Sequence, residues 1–360
     1  MTKAPILIMA GGTGGHVFPA LAVARVLIEH DRQVVWLGTH KGLENRLVPE
    51  AGIPLDYIRI SGLRRKGLLS WLLAPFKIAI AVWDAFRIVR NRRPGVVLGM
   101  GGFASGPGGL AAWLLRRPLV IHEQNAAPGL TNRLLAGLAR EVLQAFPGSF
   151  SSRITARTIG NPVRQEIFSL PDPQERMADR KGPLRILVLG GSQGALALNK
   201  VVPAAVALLP ADAEVEIWHQ SGAATLEAAL DAYGKQQVTA RVDAFIDDMN
   251  EAYAWADMVV CRSGALTVSE LAAAGLGAVL VPYPSAVDDH QTLNAQFLVD
   301  AGAAVLIQQK NLTAEVLSKE ILRCSSERQL VIERAIRARS LARPSATEEL
   351  ANICLEREAA

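Results

Sequence analysis

One unit occurs twice in this chain, about 180 residues apart, and it narrows the possible folds more than any other feature. A short apolar run at residues 5–10 meets Gly11-Gly-Thr-Gly-Gly-His16, and a helical pattern follows over residues 19–30. Arg185-Ile-Leu-Val-Leu189 meets Gly190-Gly-Ser-Gln-Gly194, and a second helical pattern follows from Ala195. Strand, glycine turn, helix is the opening unit of a doubly wound parallel sheet. Further strand candidates alternate with helices at residues 33–37, 95–98, 118–122, 214–219, 258–261 and 278–282. At about 150 residues per domain, 360 residues favour two domains. The expected fold is therefore α/β, with two Rossmann-like doubly wound parallel-sheet domains facing across a cleft. The turn formers Gly160-Asn-Pro162 put the boundary between a domain of residues 1–162 and one of 163–340. The segment from about 340 to 360 is expected to form a helix that returns to the first domain.

Composition excludes several classes. Half of the residues are hydrophobic and a fifth are charged, so the chain can bury ample apolar surface and disorder is excluded. Cys261, Cys324 and Cys354 are too few for a disulfide scaffold and lack metal-ligand spacing, which fits a reducing compartment. The longest uncharged stretch, residues 94–115, holds seven glycines and two prolines, and its centre reads as a turn and not a membrane span. The apolar run at 5–10 is too short for a signal-peptide core, so a cytoplasmic chain is expected. Charge is uneven. Residues 1–160 carry 20 Lys+Arg against 8 Asp+Glu, and the remainder carry 18 against 26. A basic first half suits nucleic acid, an anionic membrane or a phosphorylated substrate.

Glycine lets the backbone approach a ligand closely, and the helix that follows offers unpaired N–H groups and a partial positive charge to a phosphate. One such loop can be a plain connection. Two at matching places, with a third glycine-rich stretch at 99–109, point to phosphate binding. A dinucleotide is disfavoured: Val17 stands where GxGxxG needs its last glycine, and the second strand ends in Leu37-Gly-Thr39 without an acid for the ribose. There is no GxxxxGK[ST] and no Asp-x-Asp, which argues against a P-loop and against a metal-bound diphosphate. Cys261-Arg-Ser-Gly264 ends a strand and Ala265-Leu-Thr-Val-Ser-Glu270 opens the next helix. That helix start can receive a diphosphate, and the Glu270 carboxylate can accept both vicinal hydroxyls of a ribose. Read alone, Glu270 is better taken as a first-turn acid that complements the helix dipole.

The strings GGTGGHVFPALAVA, GMGGFASGP, HEQNAAPGLTNR, IGNPVR, GGSQGA, FIDDM, CRSGALTVSELAAAG and DDHQTLNA, in this order, resemble the MurG family within glycosyltransferase family 28. Its members are the bacterial UDP-N-acetylglucosamine:lipid-linked muramyl-pentapeptide N-acetylglucosaminyltransferases of peptidoglycan synthesis. The resemblance covers residues 4–298; the last sixty carry little recognisable motif. It implies a GT-B fold and an inverting, metal-independent transfer without cofactor. The N-acetylglucosamine would pass from UDP-N-acetylglucosamine to the muramyl C4 hydroxyl of the undecaprenyl-linked lipid I, giving lipid II. It also implies peripheral attachment to the cytoplasmic face of the inner membrane.

Carried over residue by residue, the resemblance implies that Thr13, Gly14, Gly15 and Asn125 lie near the transferred sugar. Arg164 and Ser192 would approach the donor diphosphate and Ile246 the uracil. Ala265, Leu266, Thr267, Val268, Ser269 and Glu270 would hold diphosphate and ribose, and Gln291, with His290 able to share the role, would read sugar hydroxyls. Charge builds on the departing UDP, so N–H groups at 191–194 and 264–266 and Arg164 would be aimed there. The acceptor hydroxyl must lose a proton, for which His16 is the general-base candidate, although a histidine there can also orient the loop. Glu123 reads equally as catalytic or structural. Retaining GT-B enzymes carry two acids eight residues apart; eight after Glu270 comes Ala278, which favours inversion.

The segment 68–89 is rich in large apolar residues, among them Trp71, Leu72, Phe76, Ile80, Trp83 and Phe86. Basic residues bracket it at 64–66 and at Arg87, Arg90, Arg92 and Arg93, and Trp113, Leu114, Arg116 and Arg117 form a second such edge. Apolar side chains rimmed by arginine suit shallow insertion among anionic inner-membrane lipids. One face of the helix is expected in the core, with its 71–76 end exposed. Alternative functions are another GT-B enzyme using a UDP-sugar (a glycolipid synthase or a nucleotide-sugar 2-epimerase) and a non-catalytic membrane scaffold. Nucleic acid is disfavoured as a partner because no stacking aromatics lie along the basic loops. No motif points to a protein partner.

Overall fold

The computed structural model describes residues 3–60, 74–191, 194–286 and 289–358. The chain divides into two compact units, one up to Val163 together with the residues from Ser345 onward, the other from Arg164 to Pro344. In the first unit seven strands form one parallel sheet: β1 (Ile6–Met9), β2 (Val34–Gly38), β3 (Leu55–Tyr57), β4 (Val96–Gly99), β5 (Leu119–Glu123), β6 (Glu141–Gln144) and β7 (Arg157–Thr158). Their order is β3-β2-β1-β4-β5-β6-β7. The second unit holds β8 (Leu184–Leu189), β9 (Val215–Gln220), β10 (Arg241–Asp243), β11 (Met258–Cys261), β12 (Gly277–Leu280) and β13 (Ala304–Leu306), ordered β10-β9-β8-β11-β12-β13. Both orders reverse beside the first strand of the unit, as in a Rossmann fold. Two doubly wound α/β units are what the repeated motif predicts.

The inner strands form because they are apolar on both faces. Ile6 to Met9 are fully buried, and helices on either side of the sheet supply the two layers of core. On one side lie Val17, Ala20, Ala24 and Leu27 of the Gly14–Glu29 helix, and on the other Ala81, Ala85 and Val89 of the Ala74–Arg92 helix. The last helix, Ala346–Glu358, packs on the first unit through Leu350, Ala351, Ile353 and Cys354, and its Glu358 is ion-paired with Arg32.

Two sequence expectations are corrected. The first helix starts at Gly14, five residues before the expected start, with Pro19 inside it. Pro19 stands past the first turn, so the helix forgoes the bond its N–H would make to the Gly15 carbonyl, and burial of Val17, Pro19, Ala20 and Leu21 on the sheet holds the segment helical. The centre of the 94–115 stretch is only partly a turn: Ser105–Leu114 is helical despite its glycines. The Ser105 hydroxyl donates to the Met9 carbonyl at 2.9 Å and the Gly101 carbonyl at 2.7 Å, anchoring the helix start to β1. A methyl group on Gly108 would lie 2.2 Å from Met9 Sδ, so that glycine is a packing contact and not a helix breaker.

Along Ala74–Arg92 the exposed apolar face runs further than residue 76. Phe76, Ile78, Ile80 and Trp83 are all exposed, and the Trp83 ring stacks on Phe86 with centroids 6.1 Å apart. Trp71, Leu72 and the basic residues 64–66 lie outside the described residues. Among those described, no helix is long and apolar enough to cross a membrane.

Candidate active site

In the first unit, the order reversal brings together the loops that follow β1 and β4. Gly102 sits at φ +85°, and a Cβ there would lie 2.3 Å from the Gly11 carbonyl oxygen, so the two backbones touch only because the residue is glycine. Glu44, fully buried, stiffens the first loop from below. It accepts from the backbone N–H of Gly12 (2.9 Å) and Thr39 (3.0 Å) and from the Thr39 hydroxyl (2.8 Å). Thr13 stands in extended conformation as the N-cap, its side chain making no capping bond. Gly14, Gly15 and His16 form the first turn of the helix. His16 is half-buried, and its Nδ1 lies 3.0 Å from Gln124 Oε1.

Gln124 belongs to His122-Glu-Gln-Asn125, which ends β5. Glu123 is buried and accepts four hydrogen bonds. Its Oε1 takes the Asn125 backbone N–H (2.9 Å) and Nδ2 (3.1 Å), and its Oε2 takes the Gly129 N–H (3.1 Å) and Asn132 Nδ2 (2.9 Å). A carboxylate offers about four acceptor positions, and these bonds use them. The geometry therefore favours the structural reading of Glu123, which folds the Asn125 loop, over a catalytic one. His122 is fully buried; its Nε2 lies 2.9 Å from the Gly160 carbonyl, and burial pushes the ring pKa down to about 4.

In the second unit the corresponding loops follow β8 and β11. Gly191 and Gly194 have φ of +77° and +75°, and a Cβ on Gly194 would lie 2.4 Å from the Ser221 carbonyl oxygen. Ser192 lies outside the described residues. After β11, the Ala265–Ala274 helix starts at Gly264 without a side-chain cap. Beside it the Ser263 hydroxyl is fully buried with no hydrogen-bond partner among the described residues. A buried hydroxyl without a partner among the described residues, beside a helix N-terminus that opens on glycine, is suited to an anion.

Glu270 stands in the second turn of that helix, 8% exposed. The Tyr253 hydroxyl donates to its Oε2 at 3.0 Å, and Arg164 Nη2 approaches its Oε1 at 3.3 Å. Burial raises the Glu270 pKa, while Arg164 and the tyrosine pull it down in part. Tyr253 is wholly buried, which with the Glu270 charge pushes its own pKa well above the phenol range. Ile246 is buried in the loop after β10 next to an exposed Phe245. Gln291 lies in the first turn of the His290–Asp300 helix, where its Oε1 accepts from the Tyr283 N–H at 2.8 Å. Arg262 ties the end of β11 to the Val281 and Pro282 carbonyls and to Gln309.

Residues 6–144 match the glycosyltransferase family 28 N-terminal domain and residues 185–350 the family 28 C-terminal domain. The chain belongs to glycosyltransferase family 28. It is 54% identical over 359 residues, 99% of each chain, to a UDP-N-acetylglucosamine--N-acetylmuramyl-(pentapeptide) pyrophosphoryl-undecaprenol N-acetylglucosamine transferase of Marinobacter nauticus. It is 55% identical to the protein of the same name from Nitrosococcus oceani, with 98% of each chain covered. The crystal structure of Acinetobacter baumannii MurG superimposes with a TM-score of 0.86 at 42% identity, covering 98% of this chain and all of that one. The resemblance carried by the sequence strings and the GT-B architecture are thereby borne out, and the chain is a glycosyltransferase.

Within this family 28 chain the candidate residues fall into two groups. Thr13, Gly14, Gly15, His16, Glu123 and Asn125 belong to the first unit; Arg164, Ile246, Ala265 to Glu270 and Gln291 belong to the second. Sequence reasoning passed over Glu44, His122, Gln124 and Tyr253. Gln124 and His122 stand within HEQNAAPGLTNR, but nothing in their order gives their partners. Tyr253 is seventeen residues from Glu270 on a separate helix, Met249–Trp255, and no local spacing links the two.

Proposed function

We propose that this family 28 enzyme transfers N-acetylglucosamine from UDP-N-acetylglucosamine to the C4 hydroxyl of the muramyl sugar in undecaprenyl-pyrophosphoryl-MurNAc-pentapeptide, with inversion and without a metal. The observation that carries the reading is Glu270. It is a buried carboxylate oriented by Tyr253 and Arg164 on a helix that opens at Gly264, beside a buried Ser263 hydroxyl with no partner among the described residues. The activity for which relatives at 54–55% identity are named supports the same donor and acceptor.

In this mechanism the diphosphate lies at the first turn of the 265–274 helix, at Ala265 to Ser269, and against the 191–194 loop with Ser192. Both ribose hydroxyls donate to Glu270. Arg164, whose bond to Glu270 is long and whose side chain is 41% exposed, turns to the diphosphate as charge develops there. The Ile246 backbone meets the uracil, and Gln291 reads the sugar hydroxyls. In the first unit Thr13, Gly14, Gly15 and Asn125 border the acceptor, and His16 is the base. The acceptor oxygen bonds to the anomeric carbon as the bond from that carbon to the UDP oxygen breaks. The hydroxyl proton goes to the imidazole and the electron pair leaves with UDP. The deciding assay follows release of UDP and formation of the disaccharide lipid from the two substrates; a chain that consumes the donor only in the absence of lipid I would overturn the proposal.

Tyr253→Phe is expected to raise the donor KM about 5- to 10-fold with kcat nearly unchanged, because the tyrosine orients Glu270 and touches no reacting atom. Steady-state kinetics with varied UDP-N-acetylglucosamine checks it, and an unchanged KM would remove Tyr253 from the donor site.

The cytoplasmic face of the inner membrane fits the exposed Phe76 and Trp83 on one helix and Trp113 and Leu114 at the end of the packed Ser105–Leu114 helix, with Arg87, Arg90 and Arg116 exposed around them. Flotation with liposomes containing anionic lipid is expected to carry the protein at low salt. Trp83→Ser with Trp113→Ser is expected to cut the bound fraction by about tenfold or more, each indole being worth roughly 1.5–3 kcal/mol when buried. Flotation indifferent to anionic lipid and to salt would refute peripheral attachment by this face.

A further inference from the structure

We propose that Gln124 is a positioning residue that holds His16 as the tautomer protonated on Nδ1, leaving Nε2 as the basic nitrogen. The direction of that bond is dictated, through His122, by the carbonyl of Gly160. The inference rests on His16 being the base and adds how the protein prepares it.

The argument starts at the carbonyl. The Gly160 oxygen can only accept, and it lies 2.9 Å from His122 Nε2, so that nitrogen carries a proton. The fully buried ring titrates at about 4, so near neutral pH it holds a single proton. His122 Nδ1 is then a lone pair, 3.3 Å from the carboxamide nitrogen of Gln124. Two more acceptors lie on that side, the His122 carbonyl at 3.4 Å and Met100 Sδ at 4.0 Å. Among the described residues three acceptors and no donor face this end of the carboxamide, which fixes it as the NH2 end. The opposite end, Oε1, is therefore the atom 3.0 Å from His16 Nδ1. An amide oxygen only accepts, so Nδ1 must donate, and neutral His16 keeps its lone pair on Nε2. Among the described residues Nε2 has no hydrogen-bond partner. Gly101 packs against the ring on its Nδ1–Cε1 side: a Cβ there would lie 2.9 Å from Cε1 and Nδ1. Asn161 Nδ2 donates to the Gln124 carbonyl at 3.0 Å and fixes its backbone next to the Gly160 turn.

A wrong tautomer at the base of a hydrolytic triad costs about 10⁴ in kcat. Here both tautomers stay accessible once the glutamine is gone, so the loss is smaller. Gln124→Leu is expected to lower kcat about 10- to 100-fold and leave both KM values within about threefold. The direct readout is nitrogen NMR of the full-length protein labelled with ¹⁵N-histidine, with the His16 signals assigned by their absence in a His16→Asn variant. The wild type is expected to show a protonated Nδ1 and an unprotonated Nε2. Gln124→Leu and His122→Phe, the latter releasing the carboxamide to turn over, are each expected to give a mixture. Gln124→Glu keeps an acceptor and is expected to restore the Nδ1–H form and part of the lost kcat. A wild-type His16 protonated on Nε2, or a His16 signal unmoved by Gln124→Leu, overturns the proposal. If the spectra come out as expected while His16→Ala retains full kcat, the positioning stands and the base assignment falls.

Discussion

Replacing His16 with alanine is expected to lower kcat by about 10²–10⁴, the span that a positioned general base contributes, while the donor KM stays within a few-fold. The separation follows from where the side chain sits. His16 belongs to the first unit, whereas Glu270, Arg164, Ile246 and Gln291, which carry the donor in this proposal, belong to the second. Among the described residues the imidazole's one hydrogen bond, to Gln124, is spent on orientation and leaves one nitrogen for the acceptor hydroxyl. Loss of the imidazole removes an interaction made only as the acceptor proton departs, and such a loss appears in kcat. Initial rates with each substrate varied in turn measure it. A fall in kcat matched by a rise in donor KM would assign His16 to binding.

Glu270→Ala is expected to act on the other parameter, weakening donor affinity about 100-fold, or roughly 2.7 kcal/mol, with a smaller change in kcat. Hydrogen bonds to a charged group contribute about 1.5–3 kcal/mol each, and the ribose hydroxyls would make two, less the cost of fixing the ligand. Calorimetric titration with the donor measures it, and unaltered affinity would sink the donor-site assignment. The pH dependence follows from the same burial. Burial raises the Glu270 pKa, and only the ionised carboxylate accepts from both hydroxyls. Donor affinity is therefore expected to weaken on acidification at a pH above the ordinary glutamate range, as the carboxylate takes up a proton.

The same shift sets a stability cost. With its pKa raised in the fold, this group binds its proton more tightly in the native than in the unfolded chain. Its contribution is most favourable below the ordinary glutamate pKa and is lost as pH rises through the raised one. A buried carboxylate retained at such a cost fits a ligand-binding role. Glu270→Gln is accordingly expected to keep or raise Tm at neutral pH while losing donor affinity, since Tyr253 still finds an oxygen and Arg164 is partly solvated. A Tm several degrees lower would make Glu270 a structural residue.

Much of the fold was legible because the inner strands are apolar on both faces. The runs that became β1, β2, β4, β5, β8, β9, β11 and β12 stand out without knowledge of their neighbours. Five strands escaped: β3, β7, β10 and β13 at the sheet edges, and β6, which lies beside β7 and holds only two apolar residues, Val142 and Leu143. Leu55–Tyr57, Arg157–Thr158 and Arg241–Asp243 contain no fully buried residue, so their sequences carry no apolar run, and it is pairing with an existing edge that makes them strands. The glycine-rich Ser105–Leu114 helix reads as a turn in the sequence for a related reason. Its glycines answer to Met9, Leu37 and Leu135 across the packed layers, and helix propensity did not decide the outcome.

The division at the site has the same cause. Glycine turns after strands, an acid in the second turn of the following helix and a histidine beside the first loop are local patterns. The chain order alone put Gly11 to His16, Gly190 to Gly194 and Ala265 to Glu270 at the ends of strands. Which groups those residues face was decided only by the tertiary structure. Tyr253 reaches Glu270 from another helix, Glu44 reaches Gly12 across thirty-two residues, and the Gly160 carbonyl acts on His16 through two intervening side chains. Backbone conformation is set mainly by near neighbours and so can be read along the chain. Hydrogen-bond direction and burial depend on atoms brought together by packing the sheets and helices, and no spacing in the sequence encodes them.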